Sequence, residues 1–142
     1  MTFEDLNCWR SARELVNRIY TVTRENPLAK DFGLCNQIQR ASVSVMSNVA
    51  EGFERAHAAE KLQHYNIARG SCGEVRSLLY VIADNYPASA AAARDLRRLV
   101  ADVGSLTSGL IGSTRARIGA KAGGTLAVLT VMAWAAVKFV RG

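Results

Sequence analysis

The sequence predicts an all-α fold, an antiparallel up-down four-helix bundle, and three observations predict it. Apolar residues recur at three- and four-residue spacing through four successive stretches. The only two prolines, Pro27 and Pro87, fall where such stretches end. No β-branched run alternates with polar residues, so strands lack their signal. A hydrophobic content of 49% against 21% charged is that of a packed domain, and 142 residues suffice for one.

The first helix is expected from about Phe3 to Glu25. Its stripe is Trp9, Ala12, Val16, Ile19 and Thr23, widened by Leu15 and Val22. Asn26-Pro27 stops it, because the residue before a proline is pushed out of the helical region. The second helix starts near Asp31, a capping residue, and ends between Gly52 and Arg55. Leu34, Ile38, Ala41, Val45, Val49 and Phe53 share one of its faces. Between them stand Ser42, Ser44, Ser47, Asn48 and Ala50, where a surface helix would carry Lys and Glu. Two faces of this helix are therefore expected to be covered by other helices.

The third helix begins near His57. With Glu60 three residues on, a hydroxyl at position 57 would complete a capping box; histidine leaves the cap weaker by about 1 kcal/mol. Its core stripe is Tyr65, Ala68, Cys72, Val75, Leu79, Ile82 and Tyr86. Gly70 and Gly73 interrupt it at a cost of about 1 kcal/mol each against alanine, and close approach of a neighbouring helix is the expected offset. Pro87 separates the fourth helix, which opens on Ala90–Ala93 and carries the stripe Leu96, Leu99, Val100, Val103, Leu106 and Leu110.

Residues 1–113 read as the bundle and 114–142 as a basic linker with a C-terminal apolar helical tail. Thr114 to Lys121 is basic and is expected to be loose. Ala122 to Val137 carries no charge over sixteen residues. At 1.5 Å per residue these span ~24 Å, short of a ~30 Å hydrocarbon core, but a snorkelling Lys138 with Phe139 and Val140 brings 122–140 close to a membrane span. Charge is segregated the same way. Residues 1–90 hold ten basic and ten acidic side chains; residues 91–142 hold eight and two, the whole net charge of +6.

Chemistry-bearing motifs are few. There is no phosphate-binding glycine loop and no HExxH, so no enzyme is expected, and no cofactor. Cys8, Cys35 and Cys72 are widely spaced, with no CxxC, so no metal is expected either. The acidic, amphipathic start of the chain does not resemble a secretory leader, which predicts reduced thiols packed as small apolar groups in a cytoplasmic protein. His57 and His64 read as a residue that caps or frays the helix start and an exposed or half-buried packing residue, rather than acid–base groups. Arg40, Asn48, Glu51, Arg55 and Glu74 stand out as polar residues on faces otherwise filled by small ones. They read as a structural polar network fixing helix register, a better attested use of such groups than stability. Arg94, Arg97 and Arg98 share a helix face (i, i+3, i+4), with Arg115, Arg117 and Lys121 beyond, and read as a phosphate-binding surface.

The segment Ala41-Ser42-Val43-Ser44-Val45-Met46-Ser47-Asn48-Val49-Ala50-Glu51-Gly52 carries a resemblance. With Phe3-Glu4-Asp5-Leu6, Trp9 and Ala12–Val16 before it, Phe32-Gly33-Leu34, Gln37-Ile38 and Arg40-Ala41 at the start of the second helix, and Ile67–Ser71 with Glu74 after it, the chain resembles the bacterial four-helix-bundle family encoded in rRNA intervening sequences. That family is related to the accessory protein of diversity-generating retroelements. The resemblance is close over about residues 3–86 and looser over the fourth helix. It implies a homopentameric barrel of bundles, a homo-oligomer that binds RNA or DNA, and a reverse transcriptase as a partner. Residues 122–140 lie outside it.

Together these predict a non-enzymatic oligomeric scaffold that binds nucleic acid through Arg94, Arg97, Arg98, Arg115 and Arg117. The alternative is a protein-interaction adaptor tethered to the membrane by 122–140, since basic residues beside an apolar segment also suit an anionic membrane face.

Overall fold

The computed structural model describes the backbone of residues 1–140 and the side chains of residues 1–122. Four helices form: α1 (Asn7–Val22), α2 (Phe32–Glu54), α3 (Ala58–Asn85) and α4 (Ala90–Val140), with short 3-10 turns at Phe3–Asp5, Leu28–Lys30 and Pro87–Ser89 before α1, α2 and α4. No strand occurs among the described residues. Each helix packs on two others, α2 on α1 and α3, α4 on α3 and α1.

Individual contacts set the directions. Cys8 near the start of α1 meets Thr107 of α4 at 3.4 Å, while Val22 at its end lies beside Leu96. Tyr86, just past α3, donates its hydroxyl to Asp31 at the start of α2, at 2.6 Å. Neighbouring helices are thus antiparallel, as short connections require.

The first helix is shorter than expected. Leu6 is extended (φ −71°, ψ 125°), and that conformation drops its side chain into a cluster with Cys8, Val49 and Ala68, so Phe3–Asp5 forms a separate turn. At the other end the Thr23 hydroxyl donates to the Ile19 carbonyl at 2.8 Å. The α2 start is capped as its sequence indicates: the Leu34 N–H donates to Asp31 Oδ1 at 3.1 Å. The α3 start has His57 at the cap with no side-chain hydrogen bond.

The core is continuous through all four helices. The α3 stripe is buried as read, with Tyr86 at its margin. The α4 stripe needs correction. Leu106 is 38% exposed, and Thr107, Ile111 and Thr114 take the inward positions. Thr107 tolerates burial because its hydroxyl donates to the Val103 carbonyl at 2.8 Å, leaving its oxygen to accept from the Cys8 thiol.

The glycines divide. A Cβ on Gly52 would lie 2.5 and 2.8 Å from the Tyr65 ring and 3.2 Å from His64 Cβ, so α3 rests directly on the α2 backbone there. At Gly70 and Gly73 a Cβ would meet nothing within 4 Å. The close helix approach expected at those two positions does not occur within the chain.

The segment 114–121, expected to be loose, is helical, because α4 continues through it without a break. Ala116, Ala120, Lys121 and the arginines are good helix formers, and Gly119 opposes them most. No helix among the described residues is long and apolar enough to cross a membrane. The 122–140 anchor lies, beyond Ala122, outside the residues whose side chains are described.

Candidate nucleic-acid interface

The arginines of α4 project in different ways. Arg94 and Arg98 sit one turn apart and are exposed. Arg98 lies 3.7 Å from Asp95, both open to water, a pairing of little energetic weight. Arg97 is turned toward α3 and half-buried, its guanidinium 4.0 Å from the centre of the Tyr80 ring. It is held by a cation–π contact. Arg115 and Arg117 are exposed but stand 21 residues or more along the helix from Arg94, about 31 Å at 1.5 Å per residue. The structure therefore makes two basic clusters rather than one. The second reaches the bundle: burial pushes the Tyr65 phenol up, and the Arg117 charge draws it partly back.

A groove of about 520 Å³ runs between α3 and α4 beside the first cluster. Arg69 and Arg76 of α3 border it, Gly73, Ala101, Gly104 and Ser105 line it, and no carboxylate does so among the described residues. These arginines were not singled out in the sequence. Their signal was present: Arg69, Gly73, Arg76 and Tyr80 keep i, i+4, i+7, i+11 spacing, a stripe one step round from the core stripe.

The polar residues of α2 and α3 do not form one network. Asn48 Nδ2 donates to the Ser44 carbonyl at 2.9 Å, which leaves Oδ1 to accept from His64 Nδ1 at 3.0 Å. That pair assigns the Nδ1 proton to His64. Glu51 lies 3.5 Å from His64 and 3.8 Å from Arg55. Asn48 and Glu51 thus meet His64 at the α2–α3 corner, with Arg55 reaching Glu51 from one turn on. Arg40 and Glu74 lie elsewhere, bordering a shallow groove between α2 and α3 with Asn36 and Gln37.

His64 was placed in the sequence as a packing residue, without its hydrogen-bonding role. In an antiparallel helix pair, residues equidistant from the turn face each other. Positions 48 and 64 flank the corner near 56 symmetrically, which is the signal that could have joined them.

Among the described residues no group of His, Cys, Asp and Glu could hold a metal ion. The three cysteines are free and buried, and burial pushes the Cys8 thiol up and the Cys72 thiol up to about 12.

No curated protein matches the chain. Residues 4–109 match the family model described as 23S rRNA-intervening sequence protein, a span that runs from the turn before α1 through most of the bundled part of α4. With four antiparallel helices beneath a match over most of its length, the chain belongs to the 23S rRNA-intervening sequence protein family.

Proposed function

We propose that this protein is a non-enzymatic scaffold that binds nucleic acid through the basic surface of α4 and assembles as a homo-oligomer, in the pentameric form its retroelement-related resemblance implies. The observation that carries the binding reading is segregation of charge. All of the net +6 falls in residues 91–142; five of those charges lie beyond Ser113, and on the bundled part of α4 Arg94 and Arg98 are exposed beside the basic border of the α3–α4 groove. Such a surface attracts phosphate by releasing counterions, without sequence preference.

Association is supported by the outer faces of α2 and α3. Val43, Ile67 and Val81 are 36–45% exposed and Phe32 is 80% exposed, and Gly70, one turn from Ile67, has open space at its Cβ position. Exposed apolar residues on outer helix faces are what a partner copy would cover.

The test is a fluorescence-anisotropy titration of a labelled RNA and its DNA equivalent at two salt concentrations. Affinity falling steeply with salt, and a triple charge reversal at Arg94, Arg97 and Arg98 that weakens binding and flattens the slope, is the expected result. Absence of binding at low salt would remove the reading, and the adaptor would take its place.

A further inference from the structure

We infer that the groove between α3 and α4 is the track for a single-stranded polynucleotide, with phosphates on Arg69 and Arg76 and a base stacked at the Tyr80–Arg97 pair. The inference rests on the nucleic-acid reading above and specifies its ligand and path. Two stripes face each other across the groove: Arg69, Gly73 and Arg76 on α3 and, running antiparallel, Ala101, Gly104 and Ser108 on α4. One turn beyond the lined part, the same stripes continue to Tyr80 on α3 and Arg97 on α4. The register is fixed at one end by Arg97 over Tyr80 at 4.0 Å and mid-groove by Gly104, whose Cβ would lie 3.9 Å from Cys72 Cβ.

Charge decides the class of ligand. Arginines border the groove, and no carboxylate lines it among the described residues. Guanidinium groups match phosphate oxygens in bidentate fashion. Arg69 and Arg76 are two helical turns apart, about 10 Å, so they engage separated phosphates of one chain rather than one small anion.

Shape decides between single strand and duplex. Packed helices lie 8–10 Å apart, and the furrow between them is too narrow to seat a duplex, whose major groove alone is ~12 Å wide. A single strand fits such a furrow, and proteins that hold one combine a basic channel with aromatic platforms. Tyr80 supplies the platform at the groove end: it is 52% exposed, with Arg97 stacked on it. An acidic peptide would use the arginines but has no flat ring to lay on that platform. Gly73 also finds its reason here. The open space its Cβ would enter is the groove itself, and a side chain there would obstruct the track.

The experiment uses the full chain with labelled 20-mers of uridine and thymidine, a hairpin duplex of similar length, and an oligoglutamate peptide as competitor. The double variant Arg69→Ala/Arg76→Ala is expected to lose tenfold or more in affinity for the single strands. Its salt slope should fall by about 1.4, two contacts at ~0.7 each. Tyr80→Ala should weaken binding with the slope unchanged, and Tyr80→Phe should restore it, since stacking needs the ring and not the hydroxyl. Gly73→Leu should weaken binding while the melting temperature shows the bundle intact. If Arg69→Ala/Arg76→Ala binds like the wild type while Arg94→Glu/Arg98→Glu does not, the groove is wrong and the wider reading stands. If nothing binds at low salt, both fall. Duplex binding as tight as single strand, or displacement of the strand by oligoglutamate at equal concentration, overturns the assignment of ligand.

Discussion

At the scale of single residues, two kinds of glycine make opposite predictions. Gly52 lies against a Tyr65 ring that is only 3% exposed and has no room to swing away. Gly52→Ala should destabilise the protein by about 1–3 kcal/mol, the usual cost of overpacking. Gly70→Ala adds a methyl group to open space and removes a poor helix former, so it should stabilise by about 1 kcal/mol. Urea unfolding of the two variants checks both signs. The buried thiols set an alkaline limit. Desolvation raises the Cys72 pKa from 9.0 to about 12, so above pH 9 the unfolded chain gives up a proton that the folded chain keeps. Stability from this group is complete below pH 9 and is lost as pH rises toward 12. Cys72→Ala should show a shallower loss of melting temperature over that window, and iodoacetamide should label Cys8, Cys35 and Cys72 only once the protein is unfolded.

At the scale of the element, the two ends of the α2–α3 pair are secured differently. Asp31 caps α2 and also accepts from Tyr86 beyond the end of α3. The Tyr86 hydroxyl first, and the Leu34 N–H second, hold its carboxyl below the ordinary 3.8. A depressed carboxylate contributes stability above its unfolded value, and that contribution is lost as pH falls through the folded one. The melting temperature of the wild type should therefore drop as pH falls below about 4. Asp31→Asn keeps a capping oxygen and should lack this part of the drop, whereas Asp31→Ala should lose stability at neutral pH as well. The start of α3 is the weak end. His57→Ser would complete a capping box with Glu60 and should stabilise by about 1 kcal/mol, read from the denaturation midpoint.

At the scale of the whole molecule, the bundle leaves two surfaces of different character. The α3–α4 side is basic, and the outer faces of α2 and α3 carry Val43, Ile67 and Val81. The second should be the seam between copies. Val43→Glu/Ile67→Glu should shift the sedimentation coefficient from that of an oligomer, five chains in the proposed form, toward that of one chain, with the helical circular dichroism signal preserved. An unchanged sedimentation profile would place the seam elsewhere.

The sequence alone determined the number of helices, their order and the centre of the inward stripe in α2 and α3, though Cys35, Ser42 and Gly52 of α2 and Ser71 and Leu78 of α3 are buried outside that stripe. Periodicity of three and four records burial directly, and Asp31 and Pro87 mark boundaries by local chemistry. It also located the excess of positive charge and carried enough motif to indicate the family. Only the tertiary structure decided the rest. Leu106 keeps the right spacing but faces water, because on α4 the true stripe shifts to Thr107, Ile111 and Thr114, and a hydroxyl that bonds its own helix passes as apolar. The polar residues of α2 and α3 separated into a corner around His64 and a groove between Arg40 and Glu74, since which of them meet depends on the register between helices. Arg69, Arg76 and Tyr80 joined Arg97 for the same reason: a helix periodicity says which side a residue faces, and only the antiparallel packing says what stands opposite.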